Sequence, residues 1–435
     1  MTKWLAPWGV VGLLVLGCGG EGKIPPAAPG EVFTDVSQVV GLDFRHVNGR
    51  VGSLHFAEMM GSGAAMADFD GDGDLDLYLV QGGRLPGVTR PLLDPVTYPE
   101  PFTDRLYRNR LEEGHGLRFD DATTATGLTA SGYGMGVAAA DYDNDGDVDL
   151  YLTNYGANQL LRNRGDGSFE DVTVVSGTGD LRWSVPAVFF DFDRDGWLDL
   201  YVGNYVELSP GNEKECFSDT GARDYCGPAS YPPETDRLFH NRGDGSFEDV
   251  TGAAGLLTAY GPALGAVAAD FNGDGWLDLY VANDGVPNQL WINQHDGTFR
   301  DEALLGGAGV NASGLAEASM GATAADFDGD GDEDLFLTHL TRETNTLYTN
   351  DGSGTFEDAS LRSGLGAPSI EATGFGTGFL DYDNDGRLDL LVVNGAVKIL
   401  DSLAGRGDPY PLHQRNQLFH NLGGGRFEDV SGQAG

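Results

Sequence analysis

Hydrophobic and polar positions along the chain follow a unit that recurs six times. In each unit a run of small residues closes on an aromatic: GAAMADF, GVAAADY, AVFFDF, GAVAADF, ATAADF and GTGFLDY. A polar, acidic turn follows, and then an apolar run: LDLYLV, VDLYLT, LDLYVG, LDLYVA, EDLFLT or LDLLVV. A third run ends on asparagine, at Asn109, Asn163, Asn241, Asn293, Asn350 and Asn421, and a glycine turn leads to a fourth, such as FEDVT. Runs this short, bounded by Gly and Asp, read as strands, and no unit holds the 10–15-residue helical pattern of a βαβ crossover. Four short strands per unit make one blade of a β-propeller. Small residues suit the innermost strand, where blades converge, and the unbroken apolar run suits a second strand buried on both faces. The predicted fold is all-β, a propeller with six blades evident.

The acidic turn carries the chemistry. It reads DFDGDGDLDL from Asp68 and recurs from Asp141, Asp191, Asp270, Asp326 and Asp381. Positions 1, 3, 5 and 9 are Asp68, Asp70, Asp72 and Asp76 in the first copy, and Asp141, Asp143, Asp145 and Asp149 in the second. The third has Asp191, Asp193, Asp195 and Asp199; the fourth has Asp270, Asn272, Asp274 and Asp278. Asp326, Asp328, Asp330 and Asp334 form the fifth, and Asp381, Asp383, Asp385 and Asp389 the sixth. Position 6 is always glycine, whereas position 7 varies: Asp74, Asp147, Trp197, Trp276, Asp332 and Arg387. Alternate carboxylates around a glycine turn are what Ca²⁺ requires, a hard cation taking six to eight oxygens, with position 7 offering only its backbone carbonyl. Simple hairpin turns would also use Asp-Gly, but they do not require four acids in register. Up to six Ca²⁺ ions are expected, the fourth loop being weakest because of Asn272. An EF-hand is excluded, since position 12 is Leu or Val and not the bidentate Glu.

The chain has 435 residues, 26 Lys+Arg against 67 Asp+Glu, and a formal charge of −41. That balance excludes a nucleic-acid binder and an electrostatic membrane binder. Hydrophobic residues make up 40%, enough for a sizeable core, and the 67 glycines fit a chain of many tight turns. Residues 1–17 carry one cation, Lys3, and then an apolar stretch too short to span a bilayer, which reads as a signal peptide. It ends in Val15-Leu16-Gly17-Cys18, similar to a bacterial lipobox, so Cys18 is the expected lipidation site. Residues 18–30 read as a flexible Gly/Pro tether and 31–435 as the propeller. Within an insertion at 203–236, Cys216 and Cys226 are expected to form a disulfide, as suits an exported protein. The expected location is the outer membrane, cell surface or periplasm, with a lipid anchor and a monomeric chain.

With these repeats in place, Phe33 to Gly435 resembles the FG-GAP/VCBS repeat family of calcium-loop propellers, which includes integrin α heads. The stretches WSVPAVFFDFDRDGWLDLYVGNYVE and ANDGVPNQLWINQ are more narrowly similar to the cartilage acidic protein (ASPIC/UnbV) family, without that family's C-terminal segment. Phe33-Thr34-Asp35-Val36-Ser37 resembles a fourth strand that has no blade of its own. In a closed propeller such a strand completes the last blade. The reading therefore expects seven blades in an intact homologue, with three further strands beyond Gly435; the alternative is that six blades close alone.

No nucleophile elbow, P-loop, dinucleotide fingerprint or HExxH occurs. His46, His55 and Glu58 could line a central pocket, and their convergence would favour an enzyme; His240 and His420 read as structural variants of Arg108 and Arg162. The insertion is the best candidate for a partner surface. The leading expectation is a calcium-stabilised binding or adhesion module with a protein or glycan ligand. The alternative is an enzyme, or an enzyme accessory, acting on extracellular polymers or small molecules through a central propeller pocket.

Overall fold

The computed structural model describes residues 32–434 except 94–101, 112–115, 129, 131, 210, 219, 220, 222, 409 and 410. The signal peptide, Cys18 and the tether lie outside the described residues. Six four-stranded antiparallel sheets follow one another along the chain, each with its strands paired in sequence order. The second blade is representative, with strands Gly134–Ala140, Asp149–Asn154, Gln159–Asn163 and Phe169–Asp171. A small ribbon, Cys216–Phe217 with Arg223–Asp224, is inserted between the second and third strands of blade three. Among the described residues no helix is long and apolar enough to cross a membrane.

The core lies between blades, not within them. Blades one and two share Phe69, Tyr78, Val80, Leu150 and Leu152; blades five and six share Phe336, Leu347, Leu390 and Val392. Second strands such as Asp149–Asn154 are buried at every position, because each face meets a different neighbour. One aromatic contact recurs at these seams. The fourth-strand Phe of one blade meets the loop position-2 aromatic of the blade before it: Phe169 on Phe69, Phe247 on Tyr142, Phe299 on Phe192, Phe356 on Phe271 and Phe427 on Phe327, at 5.5–6.0 Å.

Phe33 continues this series, with its ring 6.3 Å from that of Tyr382 in blade six. The backbone carbonyl of Val40 accepts from Phe119 N–H of blade one, as Thr126 does for Phe169 of blade two. Residues 33–42 thus occupy the fourth-strand seat of a further blade between blades six and one, although 33–37 do not form a regular strand. Beside them the wedge is thinly filled. Leu390 and Val392 face blade five, so by strand alternation Val393 faces the wedge, where it is 44% exposed. Across it Met66, paired with Leu77, is 57% exposed.

Glycine spacing records the same seam. Five residues before each loop the inner strand carries Gly63, Gly136, Gly265, Gly321 or Gly376, with Pro186 in blade three. A Cβ on Gly136 would lie 2.5 Å from Val185 O, on Gly265 2.3 Å from Met320 O, and on Gly321 2.0 Å from Phe375 O, each on the next blade. On Gly376 it would meet only Val393 of its own blade, at 4.0 Å. Gly321→Ala is therefore expected to destabilise by about 1–3 kcal/mol through overpacking, and Gly376→Ala to stay within about 0.5 kcal/mol. Urea unfolding of both variants measures this; equal losses would refute the open seam.

Candidate metal centres and the axial pocket

Each acidic loop joins the inner strand to the second strand, so all six lie at one end of the propeller. Position 1 organises the turn by accepting backbone N–H groups. Asp141 takes those of Asp145 (3.1 Å) and Gly146 (3.0 Å), and Asp68, Asp191, Asp270, Asp326 and Asp381 do the same in their loops. Position 5 accepts from the N–H of position 7, as Asp195 does from Trp197 at 2.9 Å. Position 6 is Gly with φ between 87° and 102°, a left-handed turn that a Cβ would strain.

Position 9 is the most constrained. Asp76, Asp149, Asp199, Asp278, Asp334 and Asp389 are 0–1% exposed. One carboxylate oxygen of each accepts the N–H of the third-strand asparagine, at 2.7–2.8 Å. In five blades the other oxygen accepts the N–H of position 2, for example Tyr142 to Asp149 at 3.2 Å. The same asparagine side chain donates to the position-2 carbonyl of the preceding blade: Asn163 to Phe69, Asn241 to Tyr142, Asn293 to Phe192, Asn350 to Phe271 and Asn421 to Phe327, at 2.7–3.1 Å. Sequence reading treated these asparagines as strand markers only. Their invariant place before each glycine turn was the available signal.

The loops gather oxygen donors of the kind a hard cation takes. One carboxylate oxygen from each of Asp68, Asp70 and Asp76 lies within 4.8 Å of the others, and the same holds for Asp141, Asp143 and Asp149 and for Asp191, Asp193 and Asp195. Asp70 Oδ1 and Asp143 Oδ1 are buried with no hydrogen-bond partner among the described residues, an arrangement that costs free energy unless a cation meets them. Asp72, Asp145, Asp274, Asp328, Asp330, Asp383 and Asp385 sit in the same turns, as does Asn272, whose side-chain oxygen accepts from Asp274 N–H at 3.0 Å.

His240 and His420 stand where other blades carry Arg and contact the loop acids: His240 Nδ1 lies 3.0 Å from Asp199 and 3.5 Å from Asp193, and His420 Nδ1 3.1 Å from Asp389 and 3.5 Å from Asp383. Arg108 reaches Asp70 at 3.2 Å from the same repeat position. Position-7 side chains are also engaged. Trp276 stacks on His295 (4.8 Å) beneath the Arg194 guanidinium, and Arg387 donates to Asn421 O at 2.8 Å. Asp74 is buried, Asp147 and Asp332 pack against the third-to-fourth-strand turns of their blades, and Trp197 lies under Gly243.

The opposite end of the propeller is different. Cys216 and Cys226 are joined in a disulfide, Cα atoms 5.1 Å apart, and the stapled insertion lies over the axial mouth. On one side the mouth is plugged by aromatics: Trp183 meets Tyr205 at 5.0 Å, Tyr155 at 5.3 Å and Phe56 at 5.4 Å. On the other a cavity of about 210 Å³ remains, walled by Leu264, Met320 and Phe375 from three inner strands, with Phe56 and Tyr225 above and Asp284 at its side. His46, His55 and Glu58 do not line it. His46 meets Ser62 Oγ at 2.6 Å, His55 meets Glu213 at 2.5 Å, and Glu58 accepts from Tyr225 OH at 3.3 Å. The three residues engage separate partners.

An all-β ring of acidic-loop blades defines the class, a six-bladed β-propeller of FG-GAP-type repeats. A family model described as an FG-GAP-like repeat matches residues 141–202, 221–281, 270–337 and 326–392, more than half of the chain, which therefore belongs to that family. The chain is similar to cartilage acidic protein 1 of Homo sapiens, 26% identical over 372 residues covering 82% of this chain and 50% of that protein. It is likewise 25% identical to the Mus musculus protein of that name, over 82% of this chain and 51% of the relative. The chain thus spans about half the length of the curated relatives it matches. Among solved structures, an Agrocybe aegerita lectin that recognises non-reducing terminal N-acetylglucosamine aligns over 84% of this chain and 78% of its own, at 16% identity and a TM-score of 0.42.

Burial raises the position-9 carboxyls, Asp149 to about 8 and Asp76, Asp199, Asp278 and Asp334 to about 7, from an ordinary 3.8. Without metal, the folded chain therefore holds protons that the unfolded chain has released. That contribution to stability is fully present below pH 3.8 and is lost as pH rises through 7–8. In chelator the melting temperature is expected to fall between pH 5 and pH 8. Calorimetry finding the chelated chain more stable at pH 8 would contradict this account of the buried acids.

Proposed function

We propose that the chain is an exported, lipid-anchored binding module, its propeller stabilised by up to six Ca²⁺ ions, with a protein or glycan ligand outside the cytoplasm. The observation that carries the binding reading is the stapled insertion roofing an apolar cavity at the axial mouth. Loops of this length that are fixed by a covalent link present a preformed surface, which lowers the ordering cost of binding. Support for calcium comes from the convergent acids at the other end and from their unpartnered buried oxygens. Residues Leu5 to Cys18 support export and lipidation.

The enzyme reading draws on the same cavity, but the described residues that line it include a single carboxylate, Asp284, and no histidine. Glycoside hydrolysis needs two facing carboxyl groups, so binding is the better supported reading.

Capture of extracellular proteins or glycans by the mature chain, in calcium and in chelator, tests the proposal. A partner retained only in calcium is expected; turnover of a polymer without stable capture would favour the enzyme. Cys18→Ala is expected to release the chain from the membrane fraction, because one lipid supplies the anchoring. Membrane association that survives a salt wash in that variant would remove the lipid anchor. Calcium at 100 times its dissociation constant is expected to stabilise by about 2.7 kcal/mol per site. Asp143→Ala, which deletes an unpartnered position-3 oxygen, is expected to lose one bound ion, whereas Asp147→Ala at position 7 keeps it. Calcium stoichiometry by equilibrium dialysis distinguishes the two, and equal ion loss would overturn the assigned ligand positions.

A further inference from the structure

The axial cavity has a composition that the repeat alone does not explain. Fourteen residues after the start of each loop the second strand reaches the mouth, with Gly82, Tyr155, Tyr205, Asp284, Leu340 and Gly395 in the six blades. Asp284 is the one carboxylate in this ring. Its oxygen Oδ2 accepts from Tyr205 OH at 2.5 Å, the one side-chain hydrogen bond it makes among the described residues. A carboxylate has about four acceptor sites, so one hydrogen bond leaves this cavity-lining group with acceptor capacity to spare. Leu264, Met320 and Phe375 surround it with apolar wall, and this burial raises its pKa to about 6, so the group is ionised at neutral pH.

Four aromatic rings share the cavity lining with this acid: Phe56, Tyr205, Tyr225 and Phe375. Aromatic faces attract cations, most strongly where water is excluded, and a ring set with one carboxylate is the usual chemistry of an organic-ammonium site. The volume of about 210 Å³ exceeds the 150 Å³ that holds a benzene molecule, leaving room for a ring and a short chain. The opposing charge is Lys398 at the rim, which is exposed and so screened by solvent. We propose that this cavity binds a small organic ammonium ion, its apolar body against Phe56, Met320 and Phe375 and its cationic head on Asp284. The inference rests on the binding-module reading and names a ligand class for the axial site.

The test is titration of the full chain in calcium with phenethylamine, followed by calorimetry, beside its neutral isostere 2-phenylethanol and the anion 3-phenylpropionate. Phenethylamine is expected to bind at least about tenfold more tightly than either, in line with the net worth of a partly buried charge pair. Asp284→Asn, which preserves an acceptor for Tyr205, is expected to abolish that preference. Lys398→Gln, on the exposed rim, is expected to tighten the amine by about threefold through loss of a like charge. Equal binding of amine and alcohol, an unchanged preference in Asp284→Asn, or no binding of any probe would each overturn the proposal. Loss of amine binding with calcium-dependent partner capture intact would leave the binding module standing. Amine binding without any partner capture would do the reverse.

Discussion

Everything in this propeller hangs on a carboxylate buried at the ninth position of each acidic loop. Asp149 is fully buried, yet its two oxygens hold the N–H of Tyr142 in the loop and of Asn163 at the end of the neighbouring third strand. The asparagine then carries the connection to Phe69 of the blade before. One side chain thus fixes a turn, the third strand and the seam between blades. Two hydrogen bonds do not repay the burial of a full negative charge. Either a proton or a cation must share the site, and the position-1 and position-3 acids beside it make the cation the electrostatically complete solution.

That requirement divides the molecule into two ends. An inner strand such as Ala263–Ala269 starts at the axial mouth with Leu264 and ends at the acidic loop with Asp270. At about 3.3 Å per residue the two surfaces are about 20 Å apart. Charge is concentrated where it can be neutralised by metal, and the far end is free to carry apolar residues and an insertion. The blade seams between them are apolar and repetitive, except between blades six and one. There residues 33–42 supply one strand position and leave Met66 and Val393 exposed. Gly376 retains the small size demanded by a close neighbour, although its own neighbour is only Val393.

Features set by the repeat were readable from the chain. Alternation of small, acidic and apolar runs specified four strands, their order and the ring, because each blade has the same neighbours and so faces the same packing problem. The loop acids were readable for the same reason. Contacts between strands were not: Asn163 on Phe69 of the blade before, and His240 on Asp193 within blade three, bring together residues far apart in the chain, and spacing alone does not reveal which strands touch. The position-7 residues Trp276 and Arg387 were read as unconstrained because the loop asks only for their carbonyls. Their packing on His295 and Asn421 is set by the turn that follows.

The axial end was the least legible, and the reason is physical. Where six identical strands converge, symmetry would place the same side chain six times around one axis, and no single residue type fills such a space well. Blades one to three resolve this with Phe56, Trp183, Tyr155 and Tyr205, large rings meeting edge to face. At the repeat position of Tyr155 and Tyr205, blades four to six place Asp284, Leu340 and Gly395, and the insertion covers what remains. Specific chemistry can therefore arise only where the repeat breaks its own rule. His46, His55 and Glu58 drew notice because titratable residues are conspicuous in a sequence. Asp284 did not, since an Asp followed by Gly285 reads as one more turn in a chain full of them. Only its position in the ring, between Tyr205 and Leu340, distinguishes it from the structural acids.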